Sequence, residues 1–143
     1  VHFPSLTETN VKPVQETAVC SPKFSPLIGR KVTLAELNRY PIISLGSDTK
    51  SYEFYSDFFK NNGEVFNPDI EAFTADQILP VAEADLGIGF VPLEFIHTYN
   101  NVKIINLAEK IPPRSICLIK RNEQPLSAAA KILEKMILNY QLY

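Results

Sequence analysis

The sequence predicts an α/β sandwich with some parallel strands, and three observations point to it. Compact apolar runs such as PIISL (41–45), VKIINL (102–107) and RSICLIKR (114–121) alternate along the chain with segments of helical period. Thr33 precedes Glu36, and Thr74 precedes Gln77, by the spacing at which two side chains reciprocally satisfy free N–H groups where a helix begins. Near the end, Ala129, Ile132, Leu133, Met136, Ile137 and Tyr140 recur at helical spacing behind Ser127.

Taken in order, VQETAVC (14–20) alternates and stops at Ser21-Pro22, as a short strand does before a break. PKFSPLIGRK then supplies prolines and a glycine, and Thr33 opens a short helix from 34 to about 40, ended by Pro41. PIISL reads as a buried strand, and GSDTKS carries the small and capping residues that start the next helix, about 50–61. That helix bears Tyr52, Tyr55, Phe58 and Phe59 on one stripe, widened by Phe54, and Gly63 closes it in the left-handed position past its end. EVFNPDIEAF is a strand interrupted near Pro68. A helix from about 75 to 86 follows, with Pro80 either delaying its regular turns or kinking them. LEFIHTY suits a short helix, VKIINL and RSICLIKR suit strands, and the terminal helix is expected to dock by its apolar face.

The glycines of ADLGIGFVP (84–92) invite a phosphate-loop reading, but such a loop follows a strand and precedes a helix, and here the order is reversed. Gly87 is instead expected to end the helix in a left-handed conformation. Gly89 is expected to let a backbone or ligand approach the strand closely.

A length of 143 residues suits one domain or two small lobes, and 45% hydrophobic with 21% charged residues is ordinary for a globular chain. No apolar run is long enough to span a membrane and no secretion signal opens the chain, which favours a cytoplasmic protein without membrane partners. A net charge of −2, with no basic block longer than a pair, gives no footprint for nucleic acid. Cys20 and Cys117 lack metal-ligand spacing, and His97 has no partner at such spacing, so neither metal nor cofactor is implied. With no GxSxG, HExxH or Walker loop, and with Glu83 and Asp85 on different helix faces, catalysis is not expected. The chain opens at Val1 rather than methionine and is read as a piece or a processed product.

Four segments in fixed order carry a resemblance. VTLAELNRYPIISL, GSDTKSYEFYSDFF, ILPVAEADLGIGFVP and PPRSICLIKRNEQPLSAAAKIL together resemble the effector-binding region of LysR-type transcriptional regulators, over roughly residues 14–140. The resemblance implies a type II periplasmic-binding-protein-like fold: two α/β lobes joined by two crossing strands around a small effector. It places lobe two at 23–112, and a remnant of lobe one at 1–22 and 113–143. Val14–Pro22 and Arg114–Lys120 would be the crossing strands, which would make Cys20 and Cys117 neighbours. Lobe one is then incomplete, and DNA binding belongs to a domain outside these residues. A side-by-side homodimer through the helix at 50–61 and residues 65–73 is also implied, unless the aromatic stripe faces the core.

For the effector, the loop Gly46, Ser47, Asp48 and Thr49 has the clearest physics, because free N–H groups and the helix dipole draw an anion there and hydroxyls add donors. The competing reading is that one of these side chains caps the helix. Asp48 opposes an acidic effector, so an amino acid, an amine or a neutral ligand stays open. The resemblance adds Phe73, Thr74, Gly89 and Phe90 near the cleft, and Ser21 on the hinge. A solute-binding protein serving transport is the alternative within the same fold class, and a metabolic enzyme on a related two-lobe fold a weaker third.

Overall fold

The computed structural model describes residues 5–98 and 101–140; His2, and Tyr99 at the end of LEFIHTY, lie outside them. The chain divides into two compact units, Val1–Val14 with Pro113–Tyr143, and Gln15–Pro112.

The first strand, β1 (Leu6–Val14), was not expected from the sequence. Its run of exposed residues shows no alternation, so the period-two signal of a half-buried strand is missing.

In the unit Gln15–Pro112 the chain forms β2 (Glu16–Cys20), β3 (Lys31–Val32), α1 (Leu34–Leu37), β4 (Ile43–Leu45), α2 (Lys50–Asn61), β5 (Ile70–Ala72), α3 (Ile78–Glu83), β6 (Gly89–Pro92) and β7 (Lys103–Leu107). Four strands form a sheet in the order β3-β7-β2-β6, and β4 pairs with β5 in parallel. A parallel bridge between Ile42 and Ile88 joins that pair to the sheet beside β6, with Ile43 N–H donating to Ile88 O and Ile88 N–H to Pro41 O, both at 2.8 Å.

Alternation sorts the strand side chains into two apolar layers. Ala18, Cys20, Ile42, Ile88 and Phe90 meet Tyr55, Phe58 and Phe59 of α2 on one face. Val19, Ile43 and Val91 meet Ile78, Leu79 and Ala82 of α3 on the other. The aromatic stripe of α2 therefore faces the core, with the Tyr55 ring 4.6 Å from that of Phe90 and the Phe59 ring 4.9 Å from that of Phe66.

Local signals set the ends of these elements. Thr33 and Glu36 form the reciprocal cap of α1, which is shorter than expected and stops at Leu37. At the end of α2, Gly63 takes φ 79°, its N–H reaches Lys60 O at 3.1 Å, and Glu64 N–H reaches Phe59 O at 2.9 Å, so two last-turn carbonyls are satisfied. β5 begins only after Pro68, which has no N–H to give to a ladder. The helix expected over 75–86 opens with a 3-10 turn at Ala75–Gln77 before α3, so Pro80 sits in the first α-helical turn, where its missing N–H is least costly.

The left-handed residue that ends α3 is Asp85 (φ 68°), not Gly87. A short polar side chain tolerates that conformation. Gly87 is needed for another reason: a Cβ there would lie 2.7 Å from Pro41 O. At Gly89 a Cβ would lie 2.6 Å from Ile78 Cγ2, so this glycine lets α3 close onto β6.

In the other unit, β1 pairs antiparallel with β8 (Arg114–Arg121), from Leu6 opposite Arg121 to Val14 opposite Arg114, with a shift between Asn10 and Lys12. The C-terminal α4 (Ala128–Asn139) is capped by Ser127, whose Oγ accepts the Ala130 N–H at 3.1 Å. Its apolar face does not dock as expected. None of its residues is buried, and Ile132 and Met136 are 62% and 63% exposed, because this unit's described strands form only a two-stranded ribbon.

One further expectation, that Cys20 and Cys117 lie on neighbouring strands, is corrected. Of the segment 14–22 only Val14 lies opposite β8, facing Arg114, while β2 is hydrogen-bonded on both sides inside the sheet, and the chain passes from one compact unit to the other at Val14/Gln15. Cys20 and Cys117 consequently sit on strands that do not pair with each other. Burial pushes the Cys20 thiol up to about 11, and the Cys117 thiol is raised by desolvation and by Glu8, so neither favours a reactive thiolate.

Candidate functional site: the carboxyl edge of the parallel strands

β4 and β5 run in parallel with Ser44 opposite Glu71 and Leu45 opposite Ala72, so the segments that follow them leave from one edge of the sheet. β6 runs the same way as β4, and where it ends Leu93 N–H donates to Gln15 O at 2.8 Å. Residues 46–49, residues 73–74 and the start of β2 thus share the carboxyl edge of the parallel strands, the edge at which open α/β sheets place their ligands.

Thr49 is the N-cap of α2. Its Oγ1 accepts Tyr52 N–H at 3.1 Å and donates to Gly46 O at 2.7 Å, so both functions of that hydroxyl are taken by the backbone. Ser47 and Asp48 are exposed on the turn between them. Gly46 sits against two carboxylates: a Cβ there would be 2.7 Å from Glu71 Oε1 and 2.9 Å from Asp48 Oδ1. Acidic charge is therefore gathered on one side of the first residue of the loop. Glu71 is absent from the sequence-derived candidates, because only the parallel register of β4 with β5 brings it there.

Phe73 is 91% exposed at the end of β5, and its N–H donates to Gln77 Oε1 at 2.8 Å. Gln77 Oε1 also accepts the Thr74 N–H, at 3.4 Å, so Thr74 lies exposed beside an aromatic ring that has no cover.

The remaining candidates lie elsewhere. Phe90 is a core residue against Tyr55 and Phe59. Gly89 faces α3 on the opposite side of the sheet. Ser21 is 1% exposed, accepts Lys23 N–H at 3.3 Å, and follows the end of β2, which runs antiparallel to β6 and so finishes at the other edge. The structure brings together Gly46, Ser47, Asp48, Thr49, Phe73 and Thr74, and separates them from Ser21, Gly89 and Phe90. Among the described residues no three metal-binding side chains gather, and no helix is long and apolar enough to cross a membrane.

The mixed sheet with helices on both faces, carrying its candidate loops on one carboxyl edge, is the type II periplasmic-binding-protein-like α/β fold. The LysR substrate binding domain matches residues 3–141, and the chain belongs to that family. Among solved structures it is similar to the Synechocystis PCC6803 CcmR regulatory domain in complex with 2-PG, with TM-score 0.82 and 12% identity over 94% of this chain and 66% of that one. The effector binding domain of QuiR in complex with shikimate gives TM-score 0.81 and 17% identity over 96% and 66%. HinK, a LysR family transcriptional regulator from Pseudomonas aeruginosa, gives 0.76 and 14% over 96% and 48%. The chain thus spans about two thirds or less of the length of these structures. No curated protein matches it in sequence.

Proposed function

We propose that this chain is the effector-sensing part of a LysR-type transcriptional regulator. In this reading a small molecule bound at the carboxyl edge of β4 and β5 biases the arrangement of the whole regulator, a homodimer whose DNA-reading part lies outside these residues. A ligand achieves this only by binding one arrangement more tightly than another. The family supports the reading, as do the two ligand-bound relatives. The observation that carries the site is the convergence of Ser47, Asp48, Glu71, Phe73 and Thr74 on one edge, where an exposed ring and two carboxylates flank the start of α2.

The same convergence bears on the ligand class. The N-terminus of α2 attracts negative charge, but Asp48 and Glu71 oppose it, so an effector carrying an ammonium or hydroxyl groups as well as a carboxylate suits this edge better than a plain organic acid. The Ser47 hydroxyl and the Phe73 ring offer a polar anchor and an apolar wall.

A thermal-shift screen of amino acids, amines, hydroxy acids and simple acids tests the proposal, since a ligand at a hundred times its dissociation constant stabilises by about 2.7 kcal/mol. Ser47→Ala and Phe73→Ala should remove the shift while leaving the unliganded midpoint nearly unchanged, because both side chains are exposed. A stabilising ligand unaffected by either substitution would place the effector elsewhere.

A further inference from the structure

In the unit that joins β1, β8 and α4, the helix has one side turned to the ribbon and one side open. Lys120 Nζ on β8 meets Glu134 Oε2 on α4 at 2.9 Å, so Glu134 marks the side that faces the ribbon. At about 100° per residue, Ile132, Leu133, Met136 and Tyr140 lie roughly 100–160° round the helix from Glu134. They form one apolar stripe turned away from β8, and each is more than half exposed, from Leu133 at 57% to Tyr140 at 66%.

The helices of the other unit are not left this way, since α2 and α3 press their apolar faces onto the two sides of its sheet. Contiguous apolar surface left open on a globular chain marks an interface. The ribbon is short of support as well. Two strands alone are marginal in water without further strands or a well-packed helix, and α4 buries no residue against them.

The lengths of the relatives say what is missing. The CcmR regulatory domain and the QuiR effector binding domain match at least 94% of this chain, yet about a third of each has no counterpart in it. Because the unit Gln15–Pro112 already has apolar layers on both faces of its sheet, the unmatched third belongs with the unit that has none.

We propose that the apolar stripe of α4 is an intramolecular docking surface, covered by a further segment of the same polypeptide that lies outside these 143 residues. That segment carries an apolar face of its own and at least one strand to extend the ribbon. A second copy fits less well, because two copies would each still lack the third that the relatives carry.

Met136 is the single methionine of the sequence and lies within the stripe, so it reports the cover without any substitution. Dilute hydrogen peroxide oxidises a thioether open to solvent to the sulfoxide, and apolar packing protects it. In the whole polypeptide, mass spectrometry of the peptide containing Met136 should show oxidation at least about tenfold slower in the folded protein than in urea. The 143 residues alone should show no such protection. Ile132→Glu should lower the Tm of the whole polypeptide and restore Met136 reactivity. Equal oxidation in the folded and unfolded whole polypeptide overturns the proposal, and no variant is needed to see it. Protection already present in the 143 residues, or lost when the whole polypeptide is diluted, assigns the cover elsewhere and overturns it too. So does an Ile132→Glu protein with unchanged Tm and unchanged protection, or a whole polypeptide with no further segment. None of these outcomes touches the effector edge at 46–49, whose test is ligand binding.

Discussion

Thr49 shows how a residue chosen for one role is held by another. Its hydroxyl is spent on Tyr52 N–H and Gly46 O, so it shapes the loop at 46–49 and leaves Ser47 as the hydroxyl that faces outward. Thr49→Ala should therefore cost about 1 kcal/mol of stability, the usual worth of a helix cap, read as a lower midpoint in urea unfolding. Gly87 is bound more tightly still. A methyl group there meets the main-chain oxygen of Pro41, which cannot swing aside and which also accepts the Ile88 N–H that fastens β4 to β6. Gly87→Ala should lower stability by more than Thr49→Ala, and the largest amide-shift changes should fall at 41–43 and 87–89. If the variant is as stable as the parent, that close approach is not a constraint.

Among the elements, α2 buries three aromatic side chains, Tyr55, Phe58 and Phe59. Phe59 is fully buried and meets rings from Phe58, Phe66 and Phe90, so Phe59→Ala should cost about 3–5 kcal/mol, measured by chemical denaturation. A cost below about 1 kcal/mol would mean that the core collapses into the vacated space. The limits of α2 match their sequence expectation because they are written in adjacent residues: Thr49 before the first turn and Gly63 after the last. The end of α3 does not match, since glycine is the usual left-handed terminator and this chain uses Asp85 two positions earlier. α4 has a clear amphipathic period but no buried residue, and periodicity alone states only that a face is apolar, not that something covers it.

For the whole molecule, the two units differ in what supports them. The unit Gln15–Pro112 has apolar layers on both faces of its sheet, whereas the other has a two-stranded ribbon and a helix without buried side chains. A lone two-stranded ribbon is marginal in water. Amides of β8 should thus exchange with deuterium faster than those of β2, and comparable protection in the two strands would contradict this ordering. The alternating α/β pattern was legible from the sequence because each element announces itself locally. Pairing was not legible, since the partnership of Leu6–Val14 with Arg114–Arg121 joins segments at opposite ends of the chain. The candidate edge divides along the same line: Ser47, Thr49 and Thr74 stand out as helix starters, while Glu71 reaches the loop only through strand register.

That register makes positions 46 and 71 mutually dependent. The atoms a methyl group at 46 would strike are the tips of two flexible acids rather than main chain, so Gly46→Ala should fold but drive the Glu71 and Asp48 side chains from their places. Shortening the first acid, Glu71→Asp, makes room for the methyl group, and the pair should tolerate together what the single change does not. A thermodynamic cycle over the two sites should show a favourable coupling, and drift at either one is then steered by the occupant of the other.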